Sequence, residues 1–197
     1  INIEYTFGKM DNPNFINDAY TEDGLRLPMI HYGANQKEAC VVFIHGMCQT
    51  ILDNYFAVVC GNTLSKNDIG FLYAHNRGHS IANDILRKDG SYVRCGCMYE
   101  IFEDCILDET SFNEIKWKDL YKKIFLMGHS YGCNKLIYYY HKKHPDILGM
   151  ILASAPDMMG LQLLRQKNYN TSITEAKNNI DDGNPTKLLG GLIEDYM

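Results

Sequence analysis

The sequence predicts an α/β fold: a mainly parallel sheet flanked by helices. Three observations carry this. Short apolar runs recur at Cys40–Ile44, Ile69–Ala74, Ile124–Met127 and Leu148–Ala153. Their continuous apolar character is that of strands buried on both faces. Segments of helical length and pattern lie between them, and strands alternating with helices make right-handed β-α-β crossovers.

Taken in order, residues 17–32 alternate in places and carry the turn Glu22-Asp23-Gly24, which predicts an N-terminal hairpin ending in Leu25–Tyr32. Cys40–Ile44 is bounded by the polar stretch 33–38 and by Gly46. A helix is expected over Asn54–Lys66, then strand Ile69–Ala74, the loop Asn76–Ser80 and a variable stretch to Cys97. Over Met98–Ile115, Ile101, Phe102, Cys105, Ile106 and Phe112 fall near helical spacing. The acids Glu100, Glu103, Asp104, Asp108 and Glu109 would form its solvated face. A short helix is expected through Trp117–Tyr121. Asn134–His144 reads as a helix that Pro145 stops. After Pro156 come Leu161, Leu163 and Leu164, a polar stretch, and a weak helix near Ile173–Ile180. No further strand follows, so the C-terminal strands of such a sheet are expected to be missing. The boundaries read as a core over 1–156 and a helical lid or insertion over 157–197.

The 197 residues suit one hydrophobic core. A net charge of -5 and a pI near 5.8 argue against nucleic acid or an anionic membrane as partner, since both need a basic face. No apolar run is long enough to span a bilayer. The chain starts at Ile1 without a Met, which suggests a trimmed start. Seven cysteines, with no C-x-x-C pair, read as reduced, mostly buried thiols of a cytoplasmic protein; Cys95-Gly-Cys97 is the one spacing suited to an oxidisable pair. His75 and His79 lie four apart, but they flank Arg77-Gly78 in a loop without a third ligand, so no metal and no cofactor are expected. Tyr138, Tyr139 and Tyr140 point in different directions on a helix and read as packing residues rather than a base-stacking surface.

Chemistry concentrates in Gly128-His129-Ser130-Tyr131-Gly132, a G-x-S-x-G between a predicted strand and a predicted helix. Such a turn holds the serine in a strained conformation, clear of the sheet, while the helix aims N–H groups at the same point. Two readings stand: a nucleophile elbow with Ser130 as nucleophile, or an ordinary βα turn with Ser130 as helix cap. His45-Gly46-Met47 follows strand Cys40–Ile44 directly. The N–H groups of Met47 and Tyr131 are the expected oxyanion hole, where losing one donor costs about 3 kcal/mol.

With these residues in hand, the chain resembles the α/β-hydrolase superfamily. The landmarks are Val42-Phe43-Ile44-His45-Gly46, Asn76-Arg77-Gly78-His79, Leu126–Gly132 and Ile151–Pro156, in the superfamily's order. The style is that of small esterases and acyl hydrolases. The resemblance implies that Ser130 attacks an acyl carbon of a small-molecule substrate through an acyl-enzyme. It implies too that His45-Gly46 belongs to the oxyanion loop, Asn76–His79 is a structural loop, and His129 is the bulky residue before the nucleophile.

The pattern breaks at the triad. In this superfamily the acid and then the histidine follow the serine. After Ser130 come only His141 and His144, on the same helix. Eleven helical positions span about 16 Å, beyond reach of the hydroxyl. Asp157 follows a strand end and is either the acid or, as we prefer, an N-cap for Met158–Arg165. The expectation is therefore a truncated serine hydrolase. The alternatives are a non-catalytic binding protein on the same fold, or half of an assembly that self-associates through an incomplete sheet edge.

Overall fold

A computed structural model describes residues 13–16, 19–33, 38–114, 120–165 and 169–189. The chain divides into two compact units, Ile1–Ala155 and Pro156–Met197.

The first unit contains β1 (Asn14–Ile16), β2 (Met29–Tyr32), β3 (Ala39–Ile44), α1 (Tyr55–Ser65), β4 (Ile69–Ala74), β5 (Asn83–Leu86), β6 (Tyr92–Cys95), α2 (Cys105–Glu114), β7 (Lys123–His129), α3 (Tyr131–Lys143) and β8 (Gly149–Ala153). Among the described residues six strands form one sheet in the order β1-β2-β4-β3-β7-β8. The four predicted strands β4, β3, β7 and β8 are parallel, and β2 and β1 add an antiparallel edge. Ile44 pairs with both Ala74 and Gly128, and His129 pairs with Ala153. The parallel strands thus end nearly level, and the loops after them meet at one edge of the sheet. Those loops carry His45, His75, Ser130 and Ser154.

The continuous apolar runs are explained by burial on both faces. Alternate residues of β3 and β4 feed two cores, one around Val42, Leu72, Leu126, Leu136 and Phe112, the other around Phe43, Phe71, Tyr73, Ala57 and Met127. Fully burying side chains of this size contributes about 1.5–3 kcal/mol each. In the second core the Phe43 and Tyr73 rings meet edge to face, 5.1 Å between centroids.

The predicted N-terminal hairpin exists as the turn at Glu22 and Asp23, where Tyr20 bridges Arg26. Its regular strand is only Met29–Tyr32, and residues 17–18 lie outside the described residues. α1 starts where Asn54 accepts the Ala57 N–H through its side chain at 3.2 Å. The variable stretch before Cys97 is a β5–β6 hairpin, with Ile85 opposite Val93. Most of the helix expected over Trp117–Tyr121 falls outside the described residues. α3 begins at Tyr131 rather than Asn134, because the helix starts inside the glycine-bounded turn.

Two expectations are corrected. The acids around α2 are not a solvated face: Asp108 and Glu109 are buried. Asp108 takes the Arg77 backbone N–H at 2.8 Å and its Nε at 2.9 Å, while the same guanidinium reaches Asp23 and Asp104 at 3.2 Å. Glu100 accepts from the buried Lys135 ammonium at 2.5 Å. The helical periodicity was real, but loop Asn76–His79 and α3 supply buried cations that make the inward acids tolerable. The cysteines are not all reduced thiols either. Cys48 and Cys97 form a disulfide with Cα atoms 5.5 Å apart, and Cys95 is a buried free thiol. Sequence neighbours suggested Cys95 as the partner, but the fold brings Cys48 beside Cys97 from 49 residues away.

The second unit contains α4 (Met158–Arg165) and α5 (Tyr169–Asp181). Met159, Leu163 and Leu164 are exposed on α4. Among the described residues no helix is long and apolar enough to cross a membrane.

Candidate active site

Ser130 sits where β7 turns into α3. Its backbone is at φ 52°, ψ -127°, a region that costs a non-glycine residue about 1–3 kcal/mol. Its N–H donates to the Ala153 carbonyl at 3.0 Å, and its carbonyl accepts from the Cys133 N–H at 2.9 Å. Its side chain makes no cap hydrogen bond, so the hydroxyl is not used as an N-cap. Ser130 is half-buried.

The flanking glycines are required by close approach. A Cβ on Gly128 would lie 2.8 Å from Cys133 Cα, and one on Gly132 would lie 2.4 Å from the Ile44 carbonyl oxygen. Helix α3 is therefore pressed against the end of β3. As the first residue of α3, Tyr131 has no helical partner for its N–H.

The loop after β3 closes on the same point. A Cβ on Gly46 would lie 3.0 Å from Ser130 Cβ. The Gly46 N–H donates to Gln49 Oε1 at 3.0 Å, while the Met47 N–H has no acceptor among the described residues. Met47 itself is exposed. His45 is buried, and its Nε2 accepts the Asn76 N–H at 3.1 Å. That leaves the proton on Nδ1, which donates to the Gly46 carbonyl at 2.7 Å. Burial, with the Lys135 charge nearby, holds the imidazole far below its ordinary pKa, so it is neutral.

The other histidines of this edge are spoken for in the same way. His75 Nε2 accepts the Ile51 N–H at 2.9 Å, and burial lowers its pKa to about 3. His79 stacks on it at 4.0 Å, with Nδ1 2.9 Å from the Asn76 carbonyl. The His129 ring lies against Phe56, 4.9 Å between centroids. Among the described residues no group of three His, Cys, Asp or Glu is placed to hold a metal ion.

Beneath the turn, the Lys135 ammonium sits 5.4 Å from the Tyr131 ring centroid. Burial raises Asp108 to about 6 even though Arg77 opposes the shift, so desolvation outweighs the ion pair there. Burial and the neighbouring Asp108 push Glu109 well above the carboxylate range and favour its neutral form.

Of the residues singled out in the sequence, Met47, Gly128, His129, Ser130, Tyr131 and Gly132 come together at this edge. Asp157 belongs to the second unit, where its Oδ1 accepts the Gly160 N–H at 2.9 Å and caps α4. His141 and His144 lie at the far end of α3. Sequence reasoning missed Gln49 and the Cys48–Cys97 bond. The only sequence signal for Gln49 is its place three residues beyond Gly46, the reach of a side chain folding back onto a turn.

Comparison with known proteins agrees with this architecture. The family model described as serine aminopeptidase, S33, matches residues 35–171. No curated protein matches the chain. An esterase from Pyrococcus furiosus superposes with a TM-score of 0.57 at 19% identity, covering 89% of this chain and 64% of the esterase. A thermostable carboxyl esterase from Bacillus coagulans gives 0.58 at 15%, covering 86% of this chain and 51% of that one. An epoxide hydrolase from Vigna radiata gives 0.53 at 14%, covering 88% and 55%. The chain thus spans no more than 64% of the length of these three structures. The family match, the parallel sheet and the sharp strand–helix turn lead to one statement: this chain belongs to the serine aminopeptidase family of α/β-hydrolases.

Proposed function

We propose that the chain carries the nucleophile and oxyanion hole of a serine hydrolase acting on a small ester or related acyl substrate. One observation carries the reading: Ser130 is held in a strained turn at the mouth of α3, with its hydroxyl unused as a cap and the Gly46 loop packed against it. Strain at a half-buried hydroxyl is hard to explain by packing alone.

In this reading Ser130 Oγ forms a bond to the acyl carbon and loses its proton to a base. The carbonyl electron pair moves onto oxygen, which the Met47 and Tyr131 amides receive. The C–O bond to the alcohol then breaks, the alcohol leaves with a proton, and water later releases the acyl group as the acid. His45 and His75 are neutral and engaged, His129 lies on Phe56, and His141 and His144 are remote. Asp157 serves α4 as a cap, which favours that role over triad acid.

The test is steady-state and burst kinetics of the gene product on p-nitrophenyl acetate. A burst of p-nitrophenol stoichiometric with protein, lost in Ser130→Ala, is the expected result. Undiminished turnover by Ser130→Ala would overturn the reading. The engaged histidines favour one second reading, a binding protein on the hydrolase fold. It predicts no burst in the wild type and ligand binding that survives Ser130→Ala.

A further inference from the structure

The loop that packs on Ser130 is held by one side-chain oxygen. Gln49 Oε1 accepts the Gly46 N–H at 3.0 Å and the Asn54 Nδ2–H at 3.1 Å, and it lies 3.4 Å from His129 Nδ1. Each donor comes from a different structural segment. Gly46 lies two residues beyond the end of β3 and packs close to Ser130. Asn54 caps α1 through Ala57 and also donates to the Tyr73 hydroxyl at 3.2 Å. His129 is the residue before Ser130. Gln49 therefore ties the loop to a rigid helix end on one side and to the serine turn on the other.

The bond has a second consequence. With the Gly46 N–H taken by Gln49, the next amide, that of Met47, is the one left for an incoming oxygen. Gln49 fixes the His45–Gly46 peptide, and the next peptide, which carries the Met47 N–H, is held through the Gly46 carbonyl by His45 Nδ1 at 2.7 Å; an oxyanion donor acts only if it is fixed before the reaction.

We propose that Gln49 is a positioning residue, setting the Met47 amide of the oxyanion hole relative to Ser130. The assignment rests on the serine-hydrolase reading. Gln49 itself need not touch the substrate.

Gln49→Leu keeps the side-chain size and removes the acceptor. The expected result is a 10- to 100-fold fall in kcat on p-nitrophenyl acetate with KM within about twofold, part of the 10²–10³ attached to losing a donor outright. Affinity for a trifluoromethyl ketone, whose hemiketal oxygen occupies the hole, should fall in parallel. A merely structural role would lower the fraction folded and leave kcat per folded molecule alone. A kcat within twofold of wild type, or an unchanged ketone affinity, overturns the assignment.

Amide hydrogen exchange on the wild type serves if the variant does not fold. Gly46 should exchange slowly, and exchange at the free-peptide rate overturns the proposal. A wild type without a burst defeats the serine-hydrolase reading itself, whereas a wild type with a burst and an unaffected Gln49→Leu defeats only the role of Gln49.

Discussion

Replacing Gly132 with alanine introduces a methyl group into a gap that does not exist. The new Cβ would lie 2.4 Å from the Ile44 carbonyl oxygen and 2.7 Å from that of His45, where ordinary contact begins at 3.4 Å. The shortfall is about 1 Å, and the obstacle is backbone. β3 is paired on both sides, to β4 and β7, and cannot retreat without breaking its ladders. α3 must move outward instead, away from a core that includes Leu136 and Tyr139. Overpacking of this kind costs about 1–3 kcal/mol, and a site where neither side yields falls near 3 kcal/mol. Alanine's better helix propensity offsets less than about 1 kcal/mol of that at a helix end. With a urea slope of about 2 kcal/mol/M, the midpoint should drop by about 1 M or more. Gly149→Ala is the control, because its Cβ would meet only Phe125 at 3.4 Å and should leave the midpoint almost unchanged. A Gly132→Ala midpoint within about 0.2 M of wild type would mean that helix and strand are not in the contact described.

Other perturbations probe other parts of the account. Arg77→Ala strips the buried Asp108 of its partner and should destabilise by about 3–5 kcal/mol in the same urea assay, far more than loss of an exposed pair. Cys97→Ser opens the bond to Cys48 across 49 residues, for which loop entropy predicts a loss of about 4 kcal/mol; an equal loss on adding a dithiol to the wild type, and none in the variant, would tie the effect to that bond. Burial holds His31 at about 4, below its ordinary 6.5, while its Nε2 lies 2.6 Å from the Tyr121 hydroxyl. The unfolded chain protonates that ring before the folded one, so its contribution is complete above pH 6.5 and is lost as the pH falls toward 4. Between pH 6.5 and pH 4.5 wild type should lose about 2 kcal/mol more than His31→Gln; equal slopes would contradict the buried neutral ring.

The parallel half of the fold was legible because strands buried on both faces are written as unbroken apolar runs. Cys40–Ile44 and Ile69–Ala74 are each within a residue of the observed strand. The serine turn was legible for a different reason. Contacts of 2.4–2.8 Å demand glycine at residues 128 and 132, and that demand leaves a mark in the sequence. What could not be read depended on partners distant along the chain. Asp108 looks solvated until Arg77 is beside it, and Cys97 looks paired with Cys95 until the fold presents Cys48. The β5–β6 hairpin was missed because its strands, Asn83–Leu86 and Tyr92–Cys95, are only four residues each, too short for the inward set of Ile85, Val93 and Cys95 to stand out as alternation. Gln49 carries no motif, since its role comes from three donors that only the folded loop assembles.

The most direct measurement is intact-mass and peptide mapping of the gene product after reaction with a fluorophosphonate. A strained, uncapped hydroxyl beside free amides predicts a single adduct on Ser130, absent in Ser130→Ala and slowed in Gln49→Leu. No adduct, or an adduct on any other residue, would contradict the claim that this turn is where the chemistry occurs.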